Sequence, residues 1–439
     1  MRLHRKNLGL VELIAIAIGG MVGGGIFTIL GISVSMVGAL APFAIALGGV
    51  VAMMAAYAYV KLGIYYRDEG ATYAFFKRTY PDSHMAASFI GWYTVFGYIS
   101  TLALYAYTFA SYAISGSDFA NSEWMRKGVA IAILWFFAGI NLWSVRGMGR
   151  LEDLMVYVKL AILAIISLLL AIFGETDLGT YIDSLARDFE STPAIDILIV
   201  ASITFVAYEG FQLVINAVEE MDEPERNIPR AIYTAVSVVA LIYFIVAMGS
   251  VLAIPAEDMI RDKEYALAGG AEAIMGHWGR DLVIFGAVLA TSSAISGTLF
   301  GSSRQMARIA DDGYLPAPLR RRRGTIPVAA IVAMSATASA LIVVGGLRLI
   351  LEFGSITFLL VSLLMAIANF HIREKNGASI YISIASIVGL LIGSILIVYY
   401  EATHSPEQLI FILMLYALLS LGAWGYAHWR EHTRPKRGR

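Results

Sequence analysis

Apolar residues along this chain rarely alternate with polar ones. They gather instead in long, nearly unbroken runs. An α-helix rises ~1.5 Å per residue, so about 20 apolar residues cross the ~30 Å hydrocarbon layer of a bilayer. Twelve runs approach or exceed that length: 10–37, 39–60, 86–115, 128–145, 153–173, 193–218, 231–254, 281–303, 326–345, 353–371, 378–399 and 408–428. The pattern predicts an all-α polytopic membrane protein of twelve transmembrane helices, forming one membrane domain over residues 1–439. The longer connections, 174–192 and 255–280, are too short to fold alone, so no soluble domain is expected.

Two of the runs are interrupted. The first holds "GGMVGGGIF" (Gly19–Phe27), five glycines in nine residues, and the sixth holds "FVAYEGFQ" (Phe205–Gln212), a glutamate and a glycine at mid-span. Five runs lie within 10–173 and five within 193–372. Five is odd, so the second set starts on the opposite face of the membrane. Interrupted helices at corresponding positions of two such sets are the expected mark of a 5+5 inverted repeat. Two further helices, in 378–428, fall outside it.

Charge sets the orientation. With the N-terminus in the cytoplasm, the inside segments hold 24 of the 32 Lys and Arg and the outside segments seven. Arg320–Arg323 and the tail "RPKRGR" both fall inside. The positive-inside bias predicts a multi-pass protein of the cell membrane with both termini cytoplasmic. The first apolar run continues as a full span, so no cleavable signal is expected. Composition narrows the chemistry: 58% of residues are hydrophobic, 15% are charged, and the net charge is −1. No basic face suggests a nucleic-acid partner. The chain has no cysteine, no paired histidines at metal spacing and no histidine deep in a run, so neither an enzyme nor a metal or cofactor site is expected.

Four features carry candidate chemistry. Unwinding at Gly23, Gly24 and Gly25, just before Ile26, would start a half-helix whose free N–H groups suit an anion such as a carboxylate. The other reading is close helix packing through small residues. Glu209, beside Gly210, is one of two ionisable residues deep in a run. It would receive a cationic substrate group, carry a proton, pair with a protein cation, or make a structural hydrogen bond. The other is Lys159, whose neighbours three and four positions away, Met155, Val156, Ile162 and Leu163, are all apolar. Either its partner comes from another helix, or its stem snorkels about seven residues, ~10 Å, to the interface. In "ATSSAISGTLFGSS" (Ala290–Ser303), hydroxyls either join freed carbonyls around a cation or bond back to their own helix.

Together these stretches resemble the amino acid–polyamine–organocation transporter superfamily, over nearly the whole chain. The marks are "GGGIF", "FVAYEGFQLVINAVEEMDEPERNIPRAI" (Phe205–Ile232) and "GSSRQMARIADDGYLP" (Gly301–Pro316), with "EGATYAFFKRTYPD" a looser match to the family's Gly-rich loop. Asp311 stands where the family usually has Arg before Asp-Gly. The resemblance implies the leucine-transporter-like fold and a secondary transporter working by alternating access. Its amino acid or amine substrate would lie between the broken first and sixth helices. The carboxylate would meet the backbone from Gly23 to Ile26. The amine would meet carbonyls around Phe205, Ala207 and Tyr208, with Glu209 and Gly210 lining the pocket. Sodium-coupled relatives hold Na⁺ between the first, fifth and eighth helices. Some proton-coupled members put a fifth-helix lysine there, in a context like Val158-Lys159-Leu160. The matching neighbours would be the Gly19 carbonyl and the hydroxyls of Ser292 and Ser293. The implied activity is proton-coupled, sodium-independent amino acid symport; the alternative is an amino acid, amine or polyamine exchanger with the same fold.

Overall fold

The computed structural model describes residues 8–143, 148–173, 178–262 and 264–433. The first residues of the chain and the tail "RPKRGR", which entered the charge count, lie outside them. Among the described residues the apolar runs fall largely on helix. α1 (Leu10–Met21) and α2 (Gly25–Val37) divide the first, and α3 (Ala41–Tyr66) takes the second. After a short α4 (Ala71–Thr79) come α5 (His84–Ile114), α6 (Glu123–Trp143) and α7 (Met148–Phe173). α8 (Leu178–Ser191) leads to α9 (Ala194–Ile203), then α10 (Pro224–Ala253), α11 (Ala256–Arg261), α12 (Ala266–Met275) and α13 (His277–Asp311). α14 (Val328–Val344), α15 (Leu347–His371), a one-turn α16 (Arg373–Asn376), α17 (Ile380–His404) and α18 (Pro406–Thr433) complete the described chain. Among the described residues nine stretches are long and apolar enough to cross a membrane, α2 and α3 counting as the single stretch Gly25–Tyr66. α1, α12, α14 and Met155–Leu170 of α7 are shorter apolar helices.

The interior is built on α5 and α15, which pack on each other and are buried along most of their length. α13 packs on α5 and α3 on α15, α10 packs behind α3 against α1 and α7, and α2 and α9 thread between. α17 and α18 lie outside and present Ile395, Leu418, Leu421 and Trp424 outward. Such exposure is favourable only where hydrocarbon covers it.

The connections hold more order than their length suggests. α8 is clamped to the start of the second run: the Ala39 amide donates to Asp188 Oδ2 at 2.7 Å, and the Tyr181 hydroxyl to the Ala39 carbonyl at 3.2 Å. α12 packs against α13 with six of its ten residues buried. Helices this short carry no long apolar run, which is why hydropathy passes over them. Buried charge is also richer than Lys159 and Glu209 alone. Glu352 on α15 and Glu401 on α17 are 1% and 0% exposed, and Arg348 Nε lies 2.6 Å from Glu352 Oε1. Both glutamates sit where helices continue past the apolar runs that announce them.

α4 is pinned to the end of α13. Asp312, just beyond that helix, accepts from Lys77 Nζ at 2.6 Å and from the Tyr73 hydroxyl at 2.8 Å. Burial alone would raise the Asp312 carboxyl, but the bonds from Lys77 and Tyr73 outweigh it and hold it below the ordinary 3.8. A lowered carboxyl adds stability that is complete above its ordinary value and disappears as pH falls through the lowered one. Asp312→Asn is therefore expected to reduce the melting temperature at neutral pH and to flatten its decline in the acid range below 3.8, read by thermal unfolding in detergent at several pH values.

Candidate functional site

Glycine costs a helix about 1 kcal/mol relative to alanine, and five in nine residues unwind it. In a continuous helix the Gly19 carbonyl would accept from the Gly23 amide four residues on. Here the Gly23 amide turns to the Met21 carbonyl at 2.9 Å, and α2 begins afresh at Gly25. The Gly19 carbonyl is thus freed, and Lys159 Nζ fills it from α7 at 2.8 Å. Lys159 is 1% exposed. Its stem runs inward to α1, so the snorkelling reading gives way to a partner on another helix. Ser292 and Ser293 of α13 are also buried, and Ser293, Gly19 and Gly20 share the wall of one cavity.

That cavity has a volume of about 460 Å³ and lies between α1, α13 and the stretch around Leu213–Glu220. Val156 on α7, one turn from Lys159, also lines it, as do Leu8 and Glu69 toward one end of the molecule. The Lys159 joint therefore stands behind the wall of this cavity.

The second break follows the same logic. α9 passes into a 3₁₀ turn at Thr204–Tyr208. Glu209 is extended (φ −67°, ψ 137°), Gly210 takes φ 131°, and a second 3₁₀ stretch runs from Phe211 to Ala217. Only glycine adopts such a φ without strain. The two breaks touch. A Cβ on Gly210 would fall 2.3 Å from the Gly20 carbonyl carbon, and one on Gly25 would fall 2.6 Å from Ala207 Cβ. Around Gly23 the walls are Tyr105 and Ala294, each 2.8 Å from where its Cβ would be. Ile26, Phe205, Ala207 and Tyr208 are buried in the same contact. Both readings of the glycine cluster meet here, since it is a true break and also a close backbone packing surface.

One residue on neither break joins them. The Tyr243 hydroxyl on α10 lies 2.9 Å from the Met21 carbonyl and 3.1 Å from the Ala207 carbonyl. Nothing in an apolar run marks a tyrosine as a donor shared by carbonyls of two broken helices, so sequence reasoning passes over it. Tyr243→Phe is expected to lower the melting temperature, since a buried acceptor left bare costs about 1–3 kcal/mol. A thermal melt beside an uptake assay reads both consequences.

Glu209 is 4% exposed. Its Oε2 accepts from Gln212 Nε2 at 2.6 Å, while Oε1 has no hydrogen-bond partner. No lysine or arginine among the described residues forms an ion pair with it, so the protein-cation reading falls away. The carboxyl faces a void of only about 20 Å³, walled by Tyr98, Tyr105 and Gln305, room for about one water. Among the described residues no group of three or more His, Asp and Glu is arranged to hold a metal.

Comparison with known proteins gives these contacts a setting. A family profile described as "Amino acid permease" matches residues 8–423. The Inner membrane transport protein YbaT of Escherichia coli (strain K12) is 29% identical over 412 residues, covering 93% of each chain. An uncharacterized protein of Methanocaldococcus jannaschii is 28% identical over 404 residues, covering 91% of each. The human Asc-type amino acid transporter 1 is 26% identical over 364 residues, 80% of this chain and 68% of that protein. With the profile matching nearly its full length, the chain belongs to the amino acid permease family, multi-pass membrane proteins that transport amino acids.

Proposed function

We propose that this permease is a proton-coupled, sodium-independent amino acid symporter in which Lys159 is the coupling residue. The supporting observation is the Lys159 ammonium placed on the carbonyl that the break in α1 sets free. An oxygen released from a helix at a three-helix joint is the kind of ligand a hard cation such as Na⁺ requires. Here a titratable amine occupies it. Protonated, Lys159 donates to Gly19 and ties α7 to α1. Neutral, it gives up most of that bond, and the joint loosens toward the cavity. A few kcal/mol of difference is enough to move a transporter between two conformations. In this reading the basic ends of the helices are cytoplasmic, and the 10–173 and 193–372 halves are the inverted repeats that rock about the substrate. The carboxylate meets the start of α2 at Gly23–Ile26, and the amine meets the carbonyls of Phe205, Ala207 and Tyr208. Uptake into sodium-free proteoliposomes, with and without an inward proton gradient and across a panel of amino acids and polyamines, tests the proposal. Accumulation that requires Na⁺ and ignores the proton gradient overturns it.

The unfilled Oε1 of Glu209 supports a second reading, an exchanger of amines or cationic amino acids. A buried carboxylate oxygen without a partner favours an incoming ammonium. Glu209→Gln is then expected to weaken cationic substrates by about tenfold and neutral ones little, as for a lost charge-assisted bond. Competition uptake with paired substrates reads that split, and counterflow without an ion gradient separates exchange from symport.

A further inference from the structure

Far from both breaks, a cavity of about 730 Å³ lies where the C-terminal part of α18 passes the connection between α13 and α14. We propose that it binds an anionic phospholipid, with the phosphate on Arg430 and Arg320 and an acyl chain along α18.

Arg430 is the first observation. Its residue is 6% exposed, yet it makes no ion pair among the described residues, and its Nε has no hydrogen-bond partner. The guanidinium is held rather than loose, lying 4.3 Å above the Tyr314 ring and against Gly313. A guanidinium that lines a cavity without an ion partner offers its charge to an anion there, and phosphate matches its fork. The carboxylates in the cavity wall form no ion pair with Arg430, although Asp312 feels its charge. Asp312 is held by Lys77 and Tyr73, and Asp311 by Arg322 at 2.7 Å. Arg320, exposed on the same wall, adds a second positive charge.

The second observation is the path leading away. Gly422 and Gly425 floor the cavity, and a Cβ on Gly425 would meet nothing within 4 Å, leaving a channel on the helix surface. Leu421 beside them and Leu418 one turn back are 67% and 65% exposed, an apolar track continuing toward the middle of α18. Tyr426 and Trp429 line the cavity at the charged end, where amphipathic rings mark headgroup depth. A basic pocket above an apolar track fits a lipid rather than a free anion. Basic pockets between transmembrane helices are suited to anionic headgroups.

The test uses the full chain in nanodiscs of phosphatidylcholine containing a minor fraction of either phosphatidylglycerol or further phosphatidylcholine, the minor lipid carrying brominated chains. Bromine quenches nearby tryptophan, and subtracting a Trp429→Phe variant isolates the signal of Trp429. Brominated phosphatidylglycerol is expected to quench Trp429 at a several-fold lower fraction than brominated phosphatidylcholine. Arg430→Gln is expected to reduce that preference about fivefold, the weight of one basic side chain near a headgroup. Arg320→Gln, an exposed change that does not threaten folding, is expected to reduce it in the same direction. Equal quenching by the two lipids in the unaltered protein overturns the proposal. So does a preference that survives both substitutions. Inorganic phosphate is expected to leave the quenching unchanged; full competition by it would show an anion site without lipid specificity and would also overturn the proposal.

Discussion

Lys159→Met is expected to abolish accumulation driven by a pH gradient while leaving a folded, monodisperse protein. Methionine keeps most of the volume and the apolar contacts of the lysine stem. It has neither a proton to exchange nor a donor for the Gly19 carbonyl, which Lys159 reaches at 2.8 Å. The bare carbonyl costs about 1–3 kcal/mol, too little to unfold a large helical domain and enough to shift a balance between two conformations by about tenfold or more. Initial uptake under the gradient is expected to fall at least about tenfold, to the level reached without a gradient. Lys159→Arg separates coupling from mere structure. Arginine retains a donor and stays charged throughout the accessible pH range. It is expected to preserve substrate binding and thermal stability and still fail to concentrate substrate. Gradient-driven uptake that persists at full rate in either variant would refute the coupling role.

The second large effect is expected at Gly210. At φ 131° an alanine is strained wherever its methyl points, and here the methyl would enter the backbone of α1, 2.3 Å from the Gly20 carbonyl carbon. Backbone cannot move aside as a side-chain tip does. The strain alone is about 1–3 kcal/mol, and the collision adds to it by forcing the two breaks apart. Gly210→Ala is expected to eliminate measurable transport and to lower the melting temperature clearly. Gly139→Ala on α6, whose Cβ would meet nothing within 4 Å, is the control expected to leave transport unchanged. Uptake and gel-filtration profiles of the pair measured side by side decide the matter. A Gly210→Ala protein with normal transport would mean that the contact between the breaks does not matter to the cycle.

Much of this was legible in the chain because hydrocarbon imposes simple demands. Apolar length marks helices, glycine density marks the first break, and Glu209-Gly210 in an apolar stretch marks the second. Lys159 stood out because nothing on its own helix face answers it. What stayed hidden depends on relations between distant segments. Tyr243 looks like any aromatic of a membrane helix until its hydroxyl is found between carbonyls from two other segments. Glu352 and Glu401 escaped because a hydropathy reading stops where charge begins, whereas α15 and α17 extend past that point. α8 and α12 escaped because their order comes from docking onto neighbours rather than from any run of their own. The sequence also gives no sign that the predicted carboxylate and amine ligands pack directly on one another, with the larger void one turn away at Gly19 and Gly20.

A phenol owns a single hydrogen, and Tyr243 has two oxygens to give it to. The Met21 oxygen keeps the Gly23 amide either way, so only the Ala207 oxygen goes without a donor when the phenol turns to Met21. Under the proposed binding mode, an ammonium arriving at the Ala207 oxygen would relieve the phenol of that duty and release its hydrogen wholly to Met21. News of arrival at one helix would then reach the other through the turn of a single O–H rotor, before any segment of the main chain has moved.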